Sequence, residues 1–179
     1  QKVVDYNTMK TMSLEDAKTA GVYQVIGADI DDTYIEELKK QVIHWDAIEA
    51  VGKELKIVYS PLHGTGNIPV RRVLKELGFE NVYVVKEQEL PDGEFPTVSY
   101  PNPESEEAFE LGLKLAKEVD ADLILATDPD ADRLGVYVKD TKSERLTGNL
   151  SLLYYPIFGF PHSSTQHYEI PGVHPYQIP

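Results

Sequence analysis

The chain has 179 residues, 41% apolar and 26% charged, with 17 basic against 30 acidic residues for a net charge of −13. This is the composition of a globular protein with one domain and appendages, and it leaves no basic footprint for nucleic acid or an anionic membrane. Without any cysteine, disulfide and thiolate chemistry are excluded; no apolar run is long enough to span a bilayer and no signal-peptide pattern opens the chain, so the expected setting is cytoplasmic.

Residues 1–30 read as a lead-in from a preceding domain, and an opening on Gln1 rather than Met suggests a fragment or processed piece. Ser13 and Asp16 have the spacing of a capping box for a short helix, and Val22–Ile26 is expected to be a short strand. Asp29-Ile30-Asp31-Asp32-Thr33 follows an apolar stretch as D-x-D-x-T, the nucleophile pattern of haloacid-dehalogenase-like phosphatases. The competing expectation is that Thr33 and Glu36 cap a long helix, since acids suit a helix N-terminus. That helix is predicted from Tyr34 to near Val51, with Tyr34, Leu38, Val42, Trp45 and Ile48 on one face and Gly52 ending it.

From Lys56 the pattern becomes strand, helix, strand. Lys56–Ser60 is a buried strand, Pro61–Asn67 a glycine-containing turn, and Ile68–Leu77 a helix closed by Gly78. A strand, turn and helix N-terminus suit an anion, but with one G-x-G and no Gly-Lys-Ser/Thr neither dinucleotide nor Walker binding is supported. A tight connection explains the turn as well. Val82–Val85 is the second strand. Lys86–Pro103 is a long proline-rich loop of the kind that is usually functional or at an interface. Asn102, Pro103 and the acids after them predict a helix start, with Ala108, Leu111 and Leu115 inward. Asp122–Ala126 and Leu134–Val138 complete a small three-layer α/β/α domain on a mostly parallel, four-stranded mixed sheet.

Between those last strands stands Thr127-Asp128-Pro129-Asp130-Ala131-Asp132-Arg133. Three carboxylates this close repel one another unless a cation neutralises them, and an oxygen-preferring divalent ion with phosphate nearby is the simplest candidate. An EF-hand needs Gly at the sixth position and Glu at the twelfth, where Arg133 and Lys139 stand, so that reading fails. A dehalogenase-type reading wants Thr or Val in place of Asp132. A solvated acidic turn fits poorly with Arg133 and apolar strands on both sides.

This motif resembles the magnesium loop of the α-D-phosphohexomutases, phosphoglucomutase branch. The resemblance runs from Met12 to Asn149. It also rests on Ser60-Pro61-Leu62-His63-Gly64-Thr65-Gly66, Phe95-Pro96-Thr97-Val98, Pro101-Asn102-Pro103-Glu104 and Leu146-Thr147-Gly148-Asn149. It implies that residues 31–149 are the second, metal-binding domain of a four-domain phosphoglucomutase/phosphomannomutase. That enzyme, an intramolecular phosphotransferase of the isomerase class, interconverts hexose 1-phosphate and hexose 6-phosphate through a phosphoserine and a bisphosphorylated sugar. By the same resemblance Asp128, Asp130 and Asp132 hold Mg²⁺ and Arg133 contacts phosphate. Its partners would be the phosphosugar and the remaining domains. The family's Ser-His-Asn-Pro nucleophile motif is absent, so this stretch alone is expected to be inactive. Residues 150–179, with no Lys or Arg and five prolines, are expected to be a non-native or disordered tail; their three histidines fit no standard ligand spacing. The alternatives are a stand-alone phosphohydrolase using Asp29 and Asp31, or a non-catalytic metal- or phosphate-binding module.

Overall fold

In the computed structural model, residues 9–139 and the backbone of 146–149 are described. They fall into two units, Gln1–Val42 and Ile43–Pro179. In the first, helix α1 (Leu14–Thr19) starts as the sequence predicts. Ser13 Oγ accepts the Asp16 N–H at 3.1 Å and donates its hydroxyl to Asp16 Oδ2 at 2.7 Å. Val22–Ile26 forms no strand. Apolar, β-branched residues favour extension, but a strand needs a ladder partner for its backbone groups, and these residues have none.

Helix α2 spans Ala28–Lys39, six residues earlier at its start than predicted. Thr33 is therefore not a cap. It lies inside the helix and returns its hydroxyl to the Asp29 carbonyl at 2.8 Å. Asp29 and Asp31 fall in the first turn, where the helix dipole favours acids. The buried side chain of α2 is Ile35, while Tyr34 is exposed, so the inward face is displaced by one residue. In the second unit a separate helix α3, Trp45–Val51, follows, and Gly52 ends it as predicted. One helix becomes two because Val42, Ile43 and His44 are weak helix formers placed in succession.

The second unit is built on a sheet in the order β2-β1-β3-β4-β5, from β1 (Lys56–Ser60), β2 (Asn81–Val84), β3 (Leu123–Thr127), β4 (Leu134–Lys139) and β5 (Leu146–Asn149). β1 is parallel to β2 and β3, whereas β4 and β5 join antiparallel. The four-stranded mixed sheet is therefore present, and β5 widens it over a segment read only as a motif. Helix α4 (Asn67–Glu76) connects β1 to β2, and α5 (Glu110–Val119) connects β2 to β3. Right-handed crossovers in opposite directions put these helices on opposite faces. The start of α5 is later than Asn102-Pro103 suggested. Asn102 Oδ1 accepts the Glu104 N–H at 2.9 Å in a turn, and a short 3₁₀ segment, Glu106–Phe109, precedes the α-helix. The side-chain turn competes successfully with helix nucleation.

Period-two alternation sorts the central strands. Val58, Ile124 and Tyr137 are register neighbours on one face. Ala108, Phe109 and Ala116 join Val58 and Ile124 in the core. Gly112 lets α5 approach closely, its missing Cβ lying 3.2 Å from Ile124 Cγ2. On the opposite face Ile57 and Tyr59 of β1 are equally buried, while their neighbours on β3 and β4 are less so, out to the exposed Val138. The segment 150–179, expected to be a tail, lies outside the described residues.

Candidate metal centre

Since β1 and β3 are parallel neighbours, with Ser60 paired to Ala126, the turn after β1 and the loop after β3 leave the sheet side by side at its carboxyl edge. From β1 the chain moves outward to β2 and then returns past it to β3. That reversal is where open α/β sheets form a ligand crevice.

The loop after β3 carries the acidic motif. One oxygen from each of Asp128, Asp130 and Asp132 lies within 4.8 Å of the others. Asp128 is 3% exposed, whereas Asp130 and Asp132 face solvent. The loop closes on itself: the Ala131 N–H donates to the Asp128 carbonyl at 3.0 Å, and the Arg133 N–H donates to Asp128 Oδ1 at 3.0 Å. Ala131 takes a left-handed φ of 59°, which costs an L-residue about 1–2 kcal/mol and holds only where neighbours enforce it. Arg133 Nε stands 3.2 Å from Asp128 Oδ2 and 3.7 Å from Asp132 Oδ1. Both oxygens of the buried carboxylate thus meet the same residue.

The electrostatics favour a cation. Burial pushes the Asp128 carboxyl above its ordinary range, the Arg133 N–H opposes that shift, and Asp132 and Asp130 add to it. Burial works against the Arg133 charge, but Asp128 and Asp132, with smaller help from Tyr100 and Glu104, outweigh it and hold the guanidinium above its usual value. Two like charges 4 Å apart repel by about 1 kcal/mol in bulk water and about 4 kcal/mol at an effective dielectric near 20. One guanidinium cannot neutralise three carboxylates. The donor set, all hard oxygen, fits Mg²⁺ or Ca²⁺ rather than a thiophilic metal. Ligands about 2.1 Å from Mg²⁺ stand at most about 4.2 Å apart, so the observed spacing needs only small rotamer adjustments in the two exposed aspartates.

The other motifs gather around this loop. Thr65 donates twice to the Pro129 carbonyl, from its N–H at 2.8 Å and its hydroxyl at 3.0 Å. Gly64 packs so close that a Cβ there would stand 2.3 Å from Pro129 Cα. A Cβ on Gly66 would meet Tyr59 Oη at 2.6 Å and Thr127 Oγ1 at 2.8 Å. His63, Leu62 and Phe95 all take positive φ. The His63 Nδ1 lies 3.0 Å from the Leu90 carbonyl and its Nε2 2.9 Å from Thr97 Oγ1. A carbonyl can only accept, so Nδ1 carries the proton and, in the neutral ring, Nε2 accepts from Thr97. Gln88 Nε2 donates to Thr97 Oγ1 at 3.2 Å, and the Ser60 hydroxyl donates to Gln88 Oε1 at 2.6 Å. No buried side-chain polar atom among the described residues lacks a partner.

The turn after β1 is a tight connection in which three consecutive amides, those of His63, Gly64 and Thr65, are used within the protein. His63 N–H donates to the Gln88 carbonyl, Gly64 N–H to Pro61, and Thr65 N–H to Pro129. Asp29 and Asp31, the phosphatase candidates, lie inside α2, where no strand-end loop presents them. The sequence singles out the carboxylates and Arg133, which stand together in this loop, and gives no role to Thr65, Gln88 or Thr97. The signal for Thr65 was its place between two glycines, which mark a close backbone approach.

Residues 32–142 match the phosphoglucomutase/phosphomannomutase, α/β/α domain II family. The chain belongs to that family. It is 44% identical over 115 residues to a phosphoglucomutase of Staphylococcus saprophyticus, covering 64% of this chain and 20% of that protein. Over 150 residues it is 35% identical to a phosphoribomutase of Saccharomyces cerevisiae, covering 79% of this chain and 24% of that protein. A solved phosphoglucomutase/phosphomannomutase family protein of Burkholderia thailandensis is 24% identical, covering 74% of this chain and 27% of that one, with a TM-score of 0.49. The chain thus spans only a fifth to about a quarter of these proteins' lengths. The staphylococcal relative supports the phosphoglucomutase branch.

Proposed function

We propose that residues 31–149 are the metal-binding domain of a longer phosphoglucomutase/phosphomannomutase, in which Asp128, Asp130 and Asp132 hold Mg²⁺. The observation that carries this is the convergence of three carboxylate oxygens within 4.8 Å at the carboxyl edge of the sheet. Bound there, Mg²⁺ would supply Lewis-acid stabilisation of charge on a transferring phosphoryl group. The chain's own residues do the rest. The buried Asp128 is fixed by the Arg133 N–H and Nε, while Asp130 and Asp132 stay free to adjust. Arg133, half-buried at the loop's end, is a phosphate contact: a carboxylate holds its guanidinium in a set orientation.

The parent reaction in this reading interconverts hexose 1-phosphate and hexose 6-phosphate in the cytoplasm. Its phosphoserine and sugar recognition come from the remaining domains. No helix among the described residues is long and apolar enough to cross a membrane. The test is a calorimetric Mg²⁺ titration of the chain beside Asp130→Ala. Weak saturable binding is expected, reduced at least tenfold by the substitution of this exposed ligand. Equal binding by the two proteins removes the metal assignment.

A further inference from the structure

Resting on the metal reading above, we infer that Gly64 and Thr65 are positioning residues for the acidic loop: the turn after β1 is a clamp that sets where the carboxylates stand.

Pro129 is the peptide between the first two proposed ligands, Asp128 and Asp130. Its carbonyl accepts two hydrogen bonds from one residue, Thr65, 64 positions earlier in the chain. Thr65 is exposed, so neither core packing nor burial accounts for its hydroxyl. Gly64 holds the other side of the same peptide, since a Cβ there would lie 2.3 Å from Pro129 Cα and 2.6 Å from its carbonyl oxygen. Contact with backbone cannot be relieved by turning a side chain. Any larger residue at 64 must move the loop itself.

The clamp has a rigid base. Leu62 and His63 sit at φ of 45° and 60°, and both are almost fully buried. The Ser60–Gln88–Thr97–His63 hydrogen bonds fasten the turn to the following loop. At the far end the loop is tensioned by the left-handed Ala131 and the Ala131 N–H to Asp128 carbonyl bond. The conformation that brings Asp130 and Asp132 back toward Asp128 thus depends on where Pro129 is held. Partners one bond removed from the ligands commonly change metal affinity by about 10- to 100-fold.

The test compares wild type, Gly64→Ala, Thr65→Val and Thr65→Ser in the 179-residue chain. Mn²⁺ uptake is followed by loss of the free-ion EPR signal, and hydrogen exchange of the Ala131 amide is measured without metal. Gly64→Ala is expected to weaken Mn²⁺ binding about tenfold or more and to speed Ala131 exchange. Thr65→Val should do the same to a smaller extent, and Thr65→Ser, which keeps the hydroxyl, should restore wild-type values. A general loss of stability does not give that rescue. If Gly64→Ala does not fold, the isosteric Thr65→Val decides alone. Wild-type affinity and wild-type Ala131 exchange in folded Thr65→Val overturn the clamp. Should the wild type itself take up no Mn²⁺, the metal reading falls, and Ala131 exchange then decides the clamp: faster exchange in Thr65→Val upholds it, unchanged exchange overturns it.

Discussion

Tyr59 lies wholly inside the sheet, its hydroxyl 2.9 Å from Thr127 Oγ1, and burial pushes its phenol up to about 12. An unfolded tyrosine titrates near 10. Below about pH 10 both states keep the proton and the fold has its full stability. As pH rises from 10 to 12 only the unfolded chain ionises, so stability falls by about 2–3 kcal/mol. Urea unfolding at pH 8 and pH 11.5 should show this loss in wild type and a smaller one in Tyr59→Phe. The variant should start about 1 kcal/mol less stable at pH 8, for the lost hydrogen bond. Equal alkaline losses in both proteins would rule out Tyr59 as the source. At this scale the sequence was informative about residue types and silent about setting. The spacing of Asp128, Asp130 and Asp132 was visible, but burial of the first and exposure of the others depends on the Arg133 backbone amide and on β1. Likewise no local pattern could pair Thr65 with Pro129, since the strands that bring them together are distant in the chain.

Phe109, in the 3₁₀ turn before α5, is buried and lies against Tyr137 with ring centroids 4.5 Å apart and planes tilted by 42°. Gly135 sits directly under this ring, its missing Cβ 2.7 Å from Phe109 Cζ. Phe109→Ala should therefore cost about 3–5 kcal/mol in denaturant melts, because the backbone of β4 cannot rise to fill the void. A cost under about 1 kcal/mol would show that the site collapses. The β-strands were legible because each is a short apolar run between turn signals. The helices were less so. The long helix predicted from Tyr34 to Val51 breaks at residues that the apolar periodicity passes over, and the capping box at Thr33 lost to a helix beginning at Ala28. Periodicity reports which faces can be buried; it does not weigh local propensity against them.

At the scale of the whole molecule, three of the five quoted family motifs prove to be one assembly. Ser60–Gly66 meets Phe95–Val98 through His63 and Thr97, and meets the acidic loop through Thr65 and Pro129. Pro103 packs beside Gly135 at the start of β4. The fold class was legible in the alternation of apolar strands and helices, while the second unit's fifth strand was not: Leu146-Thr147-Gly148-Asn149 holds a single large apolar residue and no alternating pattern to announce it. With the Ser-His-Asn-Pro motif absent from the chain, purified residues 1–179 should show no conversion of glucose 1-phosphate to glucose 6-phosphate in a coupled assay. Turnover above the enzyme-free rate would contradict the division of labour proposed for the parent enzyme.

The dependence of the acidic loop on Thr65 bears on portability. A hairpin cut from β3 and β4 would carry all three carboxylates and Arg133, closed by the pairing of Thr127 with Leu134. It would leave behind both donors to the Pro129 carbonyl, as well as the Lys56 amide that anchors the Asp122 side chain at the hairpin's base. Grafted onto another scaffold, the seven-residue motif would transfer the charge but not the aim. The smallest piece that could be moved intact runs from Lys56 to Lys139, nearly half the chain, and it is this whole stretch that selection for the loop would have to preserve.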